Sequence, residues 1–416
     1  MRKITPIVLI STLLLTTGCV PREPKATTTL QVNTNPDPIY VPQEIIVIPE
    51  QPRFVPQNPR VQQLIPSQPI SVSPPYTLPP QIETQPIAPT YQVPQSRYLG
   101  GHYGRNYKLK KFINMMVSKH HYNRYQLNAI FSTVRRDEKA LEKYNVFKTS
   151  KPTYSKATKI GAWDKYRSNF LTSERINKGV IFWRENEHWL RKAYQQYGVA
   201  PEYIVGIIGV ETNFGGYTGK HSVMNALTTL ALEFKKRSKF FTGELESYLL
   251  MIREEKINPQ WIKGSYAGAF GLAQFMPTAF RQHSIDFNQD GHTNLFNSAD
   301  AIGSIAKYFV ERGKWKNRLP VTMKTYYNKK RFYGLATGFK SGYSQRRLRS
   351  LGMRPSSNFN GYKGNVSLIK LSRRTRDELW WGTKNFYAIT RYNPKDHYAM
   401  AVHQLAQAIK KAKYGR

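Results

Sequence analysis

The chain has 416 residues, and 63 lysines and arginines against 26 aspartates and glutamates give a formal net charge of +37. Hydrophobic residues make up 40%, enough for a packed core, and the length allows two or three units of ordinary domain size. One cysteine excludes an intramolecular disulfide and a cysteine-rich metal site, and no apolar run reaches the roughly 18–20 residues needed to cross a bilayer.

The N-terminus reads as an address. Arg2 and Lys3 precede Ile7-Val8-Leu9-Ile10 and Leu13-Leu14-Leu15, and Thr16-Thr17-Gly18-Cys19 follows. A basic region before a short apolar stretch is a secretory signal. The cysteine after small residues resembles a bacterial lipoprotein signal, with residues 1–18 removed and Cys19 lipidated. Leu15 stands one place further from the cysteine than that pattern has it, so an ordinary signal peptide stays open. Acyl chains would anchor the protein to a membrane at about 0.8 kcal/mol per buried CH₂. By lipoprotein sorting rules, Val20 in the place after the cysteine points to the periplasmic face of the outer membrane.

Residues 19–100 form the next unit. Eighteen of the 26 prolines lie between Pro21 and Pro94, among Gln, Thr and Ser. Such a segment buries too little apolar area to offset its ordering entropy. It is expected to be an extended tether, partly polyproline II. Its five basic and five acidic residues cancel, so once Arg2 and Lys3 are set aside the +37 leaves +35 on residues 99–416. That charge predicts an anionic partner. The export signal argues against nucleic acid and for cell-envelope polymers such as peptidoglycan, with its peptide carboxylates.

Within 101–416, Pro201 to Glu211 reads as a helix. Pro201 suits its first turn and Glu202 the positive end of its dipole. Ile204, Ile207, Ile208 and Glu211 fall at i, i+3, i+4 and i+7, so Glu211 extends an apolar stripe, and Asn213-Phe214-Gly215-Gly216 ends the helix. Desolvation disfavours a charged carboxylate, which would fit Glu211 for general-acid work. The plainer reading is a frayed helix end paired with a Lys or Arg.

Gly206-Ile207-Ile208-Gly209-Val210-Glu211-Thr212-Asn213-Phe214-Gly215 resembles the catalytic-glutamate segment of the membrane-bound lytic murein transglycosylase B family. Gly264-Ser265-Tyr266-Ala267-Gly268-Ala269-Phe270-Gly271-Leu272-Ala273-Gln274-Phe275-Met276-Pro277 resembles its second signature. Asn385-Phe386-Tyr387-Ala388-Ile389-Thr390-Arg391-Tyr392-Asn393 with His397-Tyr398-Ala399-Met400 resembles a third. The resemblance covers roughly residues 155–412. It implies an α+β, mainly α fold, with a lysozyme-like catalytic core, an additional helical region and a small strand-containing insertion at about 318–385. It also implies cleavage of the β-1,4 bond between N-acetylmuramic acid and N-acetylglucosamine. The muramyl C6 hydroxyl closes on C1, leaving a 1,6-anhydro end. One acid suffices in such chemistry because the attacking hydroxyl belongs to the sugar, whereas ordinary glycosidases need two carboxylates.

The same resemblance implies roles for further residues. Ser265 would hydrogen-bond near the acid or the 2-acetamido group. Gln274, Tyr308, Tyr392, Asn393 and Tyr398 would line the groove, and Arg237, beside Lys236, would meet peptide carboxylates. Taken alone, Ser265 reads as a turn or cap residue, Gln274 as a surface residue, the tyrosines as core, and Asn393, before Pro394, as a turn former. The cell-wall synthesis machinery is the protein partner beside which such an enzyme would work.

Asp286-Phe287-Asn288-Gln289-Asp290-Gly291-His292 has side-chain oxygens at positions 1, 3 and 5 of an EF-hand-like loop and glycine at 6, with the His292 carbonyl at 7. Asn297 stands where the closing Glu is usual. The resemblance implies a lengthened loop closed by Asp300 and a structural calcium ion. An Asp/Asn-rich turn without metal is the alternative. At the level of the whole chain, a hydrolytic muramidase and a non-catalytic peptidoglycan-binding lipoprotein are the competing functions.

Overall fold

The structure is a computed structural model, and it describes residues 91–144, 161–328, 332–357, 359 and 361–415. The expected secretory signal, the candidate lipidation residue Cys19 and nearly all of the proline-rich segment lie outside the described residues. Among the described residues no helix is long and apolar enough to cross a membrane.

Three helices come first, α1 (Tyr107–His120), α2 (Arg124–Ser132) and α3 (Glu138–Lys143). Each is opened by an Asn or Asp side chain, Asn106, Asn123 and Asp137, that accepts an N–H of the first turn. These caps satisfy donors that have no partner inside a helix. Then follow α4 (Ala162–Ser168), α5 (Ser173–Glu185), α6 (Glu187–Tyr197) and α7 (Pro201–Thr212). A short strand β1 (His221–Ser222) leads to α8 (Val223–Glu233) and α9 (Ser238–Glu254), and β2 (Lys263–Gly264) to α10 (Pro277–His283) and α11 (Ser298–Glu311).

The strand-bearing part comes next: β3 (Thr322–Tyr327), α12 (Gln345–Ser350), β4 (Met353–Pro355), β5 (Ser367–Ser372) and β6 (Asp377–Gly382). The chain closes with α13 (Lys384–Thr390) and the long α14 (Asp396–Tyr414). β1 and β2 make a two-stranded antiparallel ladder, and the other four strands an antiparallel sheet in the order β4-β3-β6-β5. Period-two alternation gives that sheet two apolar faces. Leu368, Leu379 and Trp381 join a small core with Leu348, Met353 and Phe359, while Ile369 and Leu371 join the main helical core.

α7 starts at Pro201 and ends at Asn213, which caps it in the left-handed conformation (φ 51°). The apolar stripe, however, is not a stripe. Every residue from Glu202 to Val210 is buried, because α5, α6, α11 and α14 surround the helix. A helix apolar all round is a core helix. Two glycines let α14 come close. A Cβ on Gly206 would lie 3.0 Å from the Val402 carbonyl oxygen, and one on Gly209 would lie 3.0 Å from Leu405 Cδ2 and 2.6 Å from the Phe214 ring.

Candidate active site

Glu211 sits in the last turn of α7, where the helix leaves the core, and is partly exposed. Tyr398, in the first turn of α14, donates its hydroxyl to Glu211 Oε1 at 2.5 Å. The glycine-mediated approach of the two helices makes this contact. Burial first, and then the Glu211 charge, hold the Tyr398 hydroxyl well above its ordinary range. It therefore stays protonated and keeps donating. The Tyr392 hydroxyl is raised in the same way, by burial and then by Glu211.

The turn after Glu211 is tightly held. Asn213 and Phe214 both have positive φ, 51° and 59°, which costs energy that the surroundings must supply. The Thr212 hydroxyl accepts the Gly215 N–H at 3.1 Å, and Asn213 Oδ1 accepts Arg175 Nε–H at 3.2 Å. The chain then runs into β1, whose ladder with β2 places the Ser265 turn beside it. A Cβ on Gly219 would lie 2.6 Å from the Ser265 nitrogen.

Ser265 Oγ accepts the Ala269 N–H at 3.0 Å, closing a turn. Asn393 is buried, at 6% exposure, and its Oδ1 has no hydrogen-bond partner among the described residues. The polar ends of Gln274, Tyr308 and Tyr392 are occupied by backbone carbonyls. Gln274 Nε2 donates to the Thr218 and Gly271 carbonyls, both at 3.0 Å. Tyr308 donates to Arg391 O at 2.7 Å and Tyr392 to Ala273 O at 3.0 Å, and their rings pack together 5.0 Å apart. They brace the second and third signature segments against each other, against α11 and against the chain at Thr218. Arg237 lies over the Phe240 ring at 4.4 Å, and burial lowers its guanidinium somewhat. Lys236 beside it is exposed.

The 286–300 loop is folded onto its own oxygens. Asp286 accepts the Asp290 and Gly291 N–H groups at 3.1 and 2.8 Å. Asp290 Oδ1 accepts the His292 N–H at 3.0 Å, and Asn288 Oδ1 the Asp290 N–H at 3.2 Å. Asp300, fully buried, accepts Phe287 N–H at 2.8 Å and Asn294 N–H at 2.7 Å. Among the described residues no three His, Cys, Asp or Glu side chains form a metal-holding group. Any cation here would draw on Asn288 and the His292 carbonyl as well.

The family description "Transglycosylase SLT domain" matches residues 105–407. Membrane-bound lytic murein transglycosylase B of Escherichia coli K12 is 41% identical over 326 residues, covering 78% of this chain and 87% of that protein. The chain belongs to the membrane-bound lytic murein transglycosylase B family. A structure of the E. coli lytic transglycosylase Slt35 in complex with calcium is 41% identical, with a TM-score of 0.70, and covers 76% of this chain and 96% of that one. Pseudomonas aeruginosa SltB3 in complex with NAG-anhNAM-pentapeptide is 25% identical, with a TM-score of 0.64, and covers 73% of this chain and 78% of that one. The mainly helical body is the lysozyme-like fold of these transglycosylases.

Two residues beside this candidate site escaped the sequence reading. Tyr166 of α4 lies close enough to Tyr398 to raise its pKa, and its ring meets His397 at 5.4 Å. Arg175 of α5, partly buried, supports the turn after Glu211 and keeps Nη1 buried without a hydrogen bond among the described residues. Both stand on short helices far from the signature blocks in sequence. An arginine whose charge faces the core was the one signal available.

Proposed function

We propose that the protein cleaves peptidoglycan glycan strands as a lytic transglycosylase, with Glu211 as its one acid and base. The observation that carries this is the Tyr398 hydroxyl on Glu211 Oε1 at the mouth of a helix otherwise sealed in the core. With Oε1 fixed, the proton in play sits on Oε2. Glu211 gives it to the glycosidic oxygen as the bond from that oxygen to C1 of N-acetylmuramic acid breaks. The 2-acetamido oxygen steadies the positive C1. The C6 hydroxyl oxygen then bonds to C1 and returns its proton to Glu211, which regenerates the acid. Holding that hydroxyl in reach makes the second step intramolecular, and the buried tyrosines keep competing water out.

Ser265, whose Oγ already accepts a backbone N–H, has its hydroxyl hydrogen to offer a substrate oxygen, and the buried Asn393 Oδ1 would accept from a sugar N–H or O–H. Tyr308, Tyr392 and Gln274 shape the groove floor by bracing it. Arg237 and Lys236 supply cations for the peptide carboxylates. Digestion of purified peptidoglycan, read by mass analysis, tests the proposal. Anhydromuramyl ends are expected from the wild type and not from Glu211→Gln. Reducing ends in their place would make the enzyme a muramidase.

The oxygen donors of the 286–300 loop fit calcium: Asp286, Asn288, Asp290, the His292 carbonyl and the buried Asp300, with Gly291 at φ 91° making the tight turn. The similarity to a protein crystallised with calcium supports the same reading. The ion would join the loop to the start of α11 and take no part in the reaction. Calcium is expected to raise the melting temperature and protect the loop from proteolysis, and chelation to reverse both. The membrane-bound relative and the Cys19 signal support a lipid anchor facing the periplasm. Cys19→Ala is expected to move the protein from the membrane to the soluble fraction.

A further inference from the structure

From Arg312 to Arg376 the chain carries 18 lysines and arginines and no aspartate or glutamate. This segment holds most of the strand-bearing part, and within it lies a cavity of about 550 Å³. Arg349, Arg354 and Lys363 stand at its rim, and Phe359 and Tyr362 line it. None of these residues belongs to the Glu211 site. The carboxylates nearest in sequence are already engaged, Asp377 by Lys370 and Glu378 by Arg373 and Lys324. No carboxylate pairs with Arg349, Arg354 or Lys363 among the described residues.

Hydrogen bonds and ring contacts hold part of the cavity wall. Gln345 Nε2 donates to the Tyr362 and Gly364 carbonyls, and Arg354 Nη1 donates to the Arg349 and Met353 carbonyls. The Arg349 guanidinium lies 5.7 Å from the Trp381 ring. Phe359 is packed edge-on against Tyr362 at 5.5 Å. Preset cations around an aromatic floor suit a flexible ligand that carries carboxylates on short aliphatic side chains. Fixed donors spare much of the ordering entropy of binding, and arginine matches a carboxylate with two parallel N–H bonds.

We infer that this cavity is a second substrate subsite, which holds the carboxylate-bearing stem peptide of peptidoglycan away from the cleavage site. The inference rests on the transglycosylase reading for its choice of polymer. The strand-bearing part is also tied to α14, the helix that carries Tyr398. Asp396, two residues before Tyr398, accepts the Phe339 N–H at 2.8 Å, and Trp380 meets the His403 ring at 5.9 Å. A stem peptide held here is therefore held at a fixed place relative to Glu211. The second contact raises the local concentration of glycan strand without any new contact at the acid.

The test is binding without turnover, in the Glu211→Gln background. Pelleting with purified peptidoglycan is compared with pelleting on strands whose peptides have been removed by an amidase. Arg354→Glu/Lys363→Glu, and the milder Arg354→Gln/Lys363→Gln, carry the substitutions, and unchanged melting temperatures establish that the variants are folded. About a tenfold loss of affinity for peptide-bearing material is expected for the charge reversal and a smaller loss for the Gln pair, both reduced by salt. Less than a twofold change is expected on peptide-free strands. Equal losses on both materials, or no loss on either, would overturn the inference. So would a loss confined to vesicles containing phosphatidylglycerol, which would make the cavity a lipid-headgroup site. Because Glu211 is already silenced, these outcomes are independent of whether the wild type yields anhydromuramyl ends.

Discussion

The two ends of α7 each carry a glutamate, and their surroundings give them opposite roles. Glu202 lies at the positive end of the helix dipole, is 6% exposed, and pairs with Lys410 at 2.8 Å. Glu211 lies at the negative end and meets the neutral hydroxyl of Tyr398. The first carboxylate is tied to a cation and sits with the dipole. The second has a dipole against its charge and a neutral hydroxyl donor on Oε1, which suits a group that must gain and lose a proton. Residue type and helix are shared, so position along the dipole and the partner on α14 make the difference.

Several substitutions sharpen or break that contrast. Glu211→Gln should cut anhydro-product formation by about 10²–10⁴-fold, the usual worth of a general acid, with the melting temperature nearly unchanged. Glu202→Gln should leave product formation close to wild type, and equal losses at the two ends would end the comparison. Tyr398→Phe removes one hydrogen bond to a carboxylate, a loss on the order of tenfold or somewhat more in kcat. It should leave stability nearly intact if the hydroxyl serves the acid and not the packing.

Gly209→Ala acts on the seam itself. Its Cβ would press on Phe214 and Leu405, costing about 1–3 kcal/mol as overpacking, with activity falling as Tyr398 moves from Glu211. Denaturant unfolding and product analysis read the two effects separately. For Glu202→Gln the stability loss should be small, about 1 kcal/mol or less, because Lys410 is half exposed and solvent screens the pair.

A third glutamate, this one buried like Glu202, gives a pH prediction. Glu244 accepts the Thr278 N–H at 2.9 Å, and burial pushes its carboxyl up from 4.5 to about 7. The folded state thus holds a proton that the unfolded chain has released. Its contribution to stability is full below about pH 4.5 and is lost as the pH rises toward 7. Glu244→Gln should flatten the melting temperature over that window, and a slope unchanged by the substitution would assign it to other groups.

The chain's own pattern went far at α7. Proline at the first turn, the Asn-Phe-Gly-Gly stop and the glutamate two residues before that stop all appear where the helix begins, ends and opens. It went less far where a residue's partner comes from a remote segment. Tyr392 and Gln274 stand in signature blocks and Tyr308 in α11, and their polar ends go to the carbonyls of Ala273, Thr218 and Arg391, partners that a motif does not name. Tyr166 and Arg175 carry no motif and reach the site only because α4 and α5 pack beside α14 and α7.

By itself the sequence determined what is local or additive: the excess of cations, the capped helix ends, the order of oxygens in the 286–300 loop, and the family to which the signature blocks belong. These depend on neighbours in the chain or on sums over it. Tertiary structure alone decided that α7 is buried on every side, that Tyr398 reaches Glu211 across 187 residues of chain, and that three cations collect around one cavity. Each of those depends on which distant surfaces fill the same space, and close packing, not chain order, settles that.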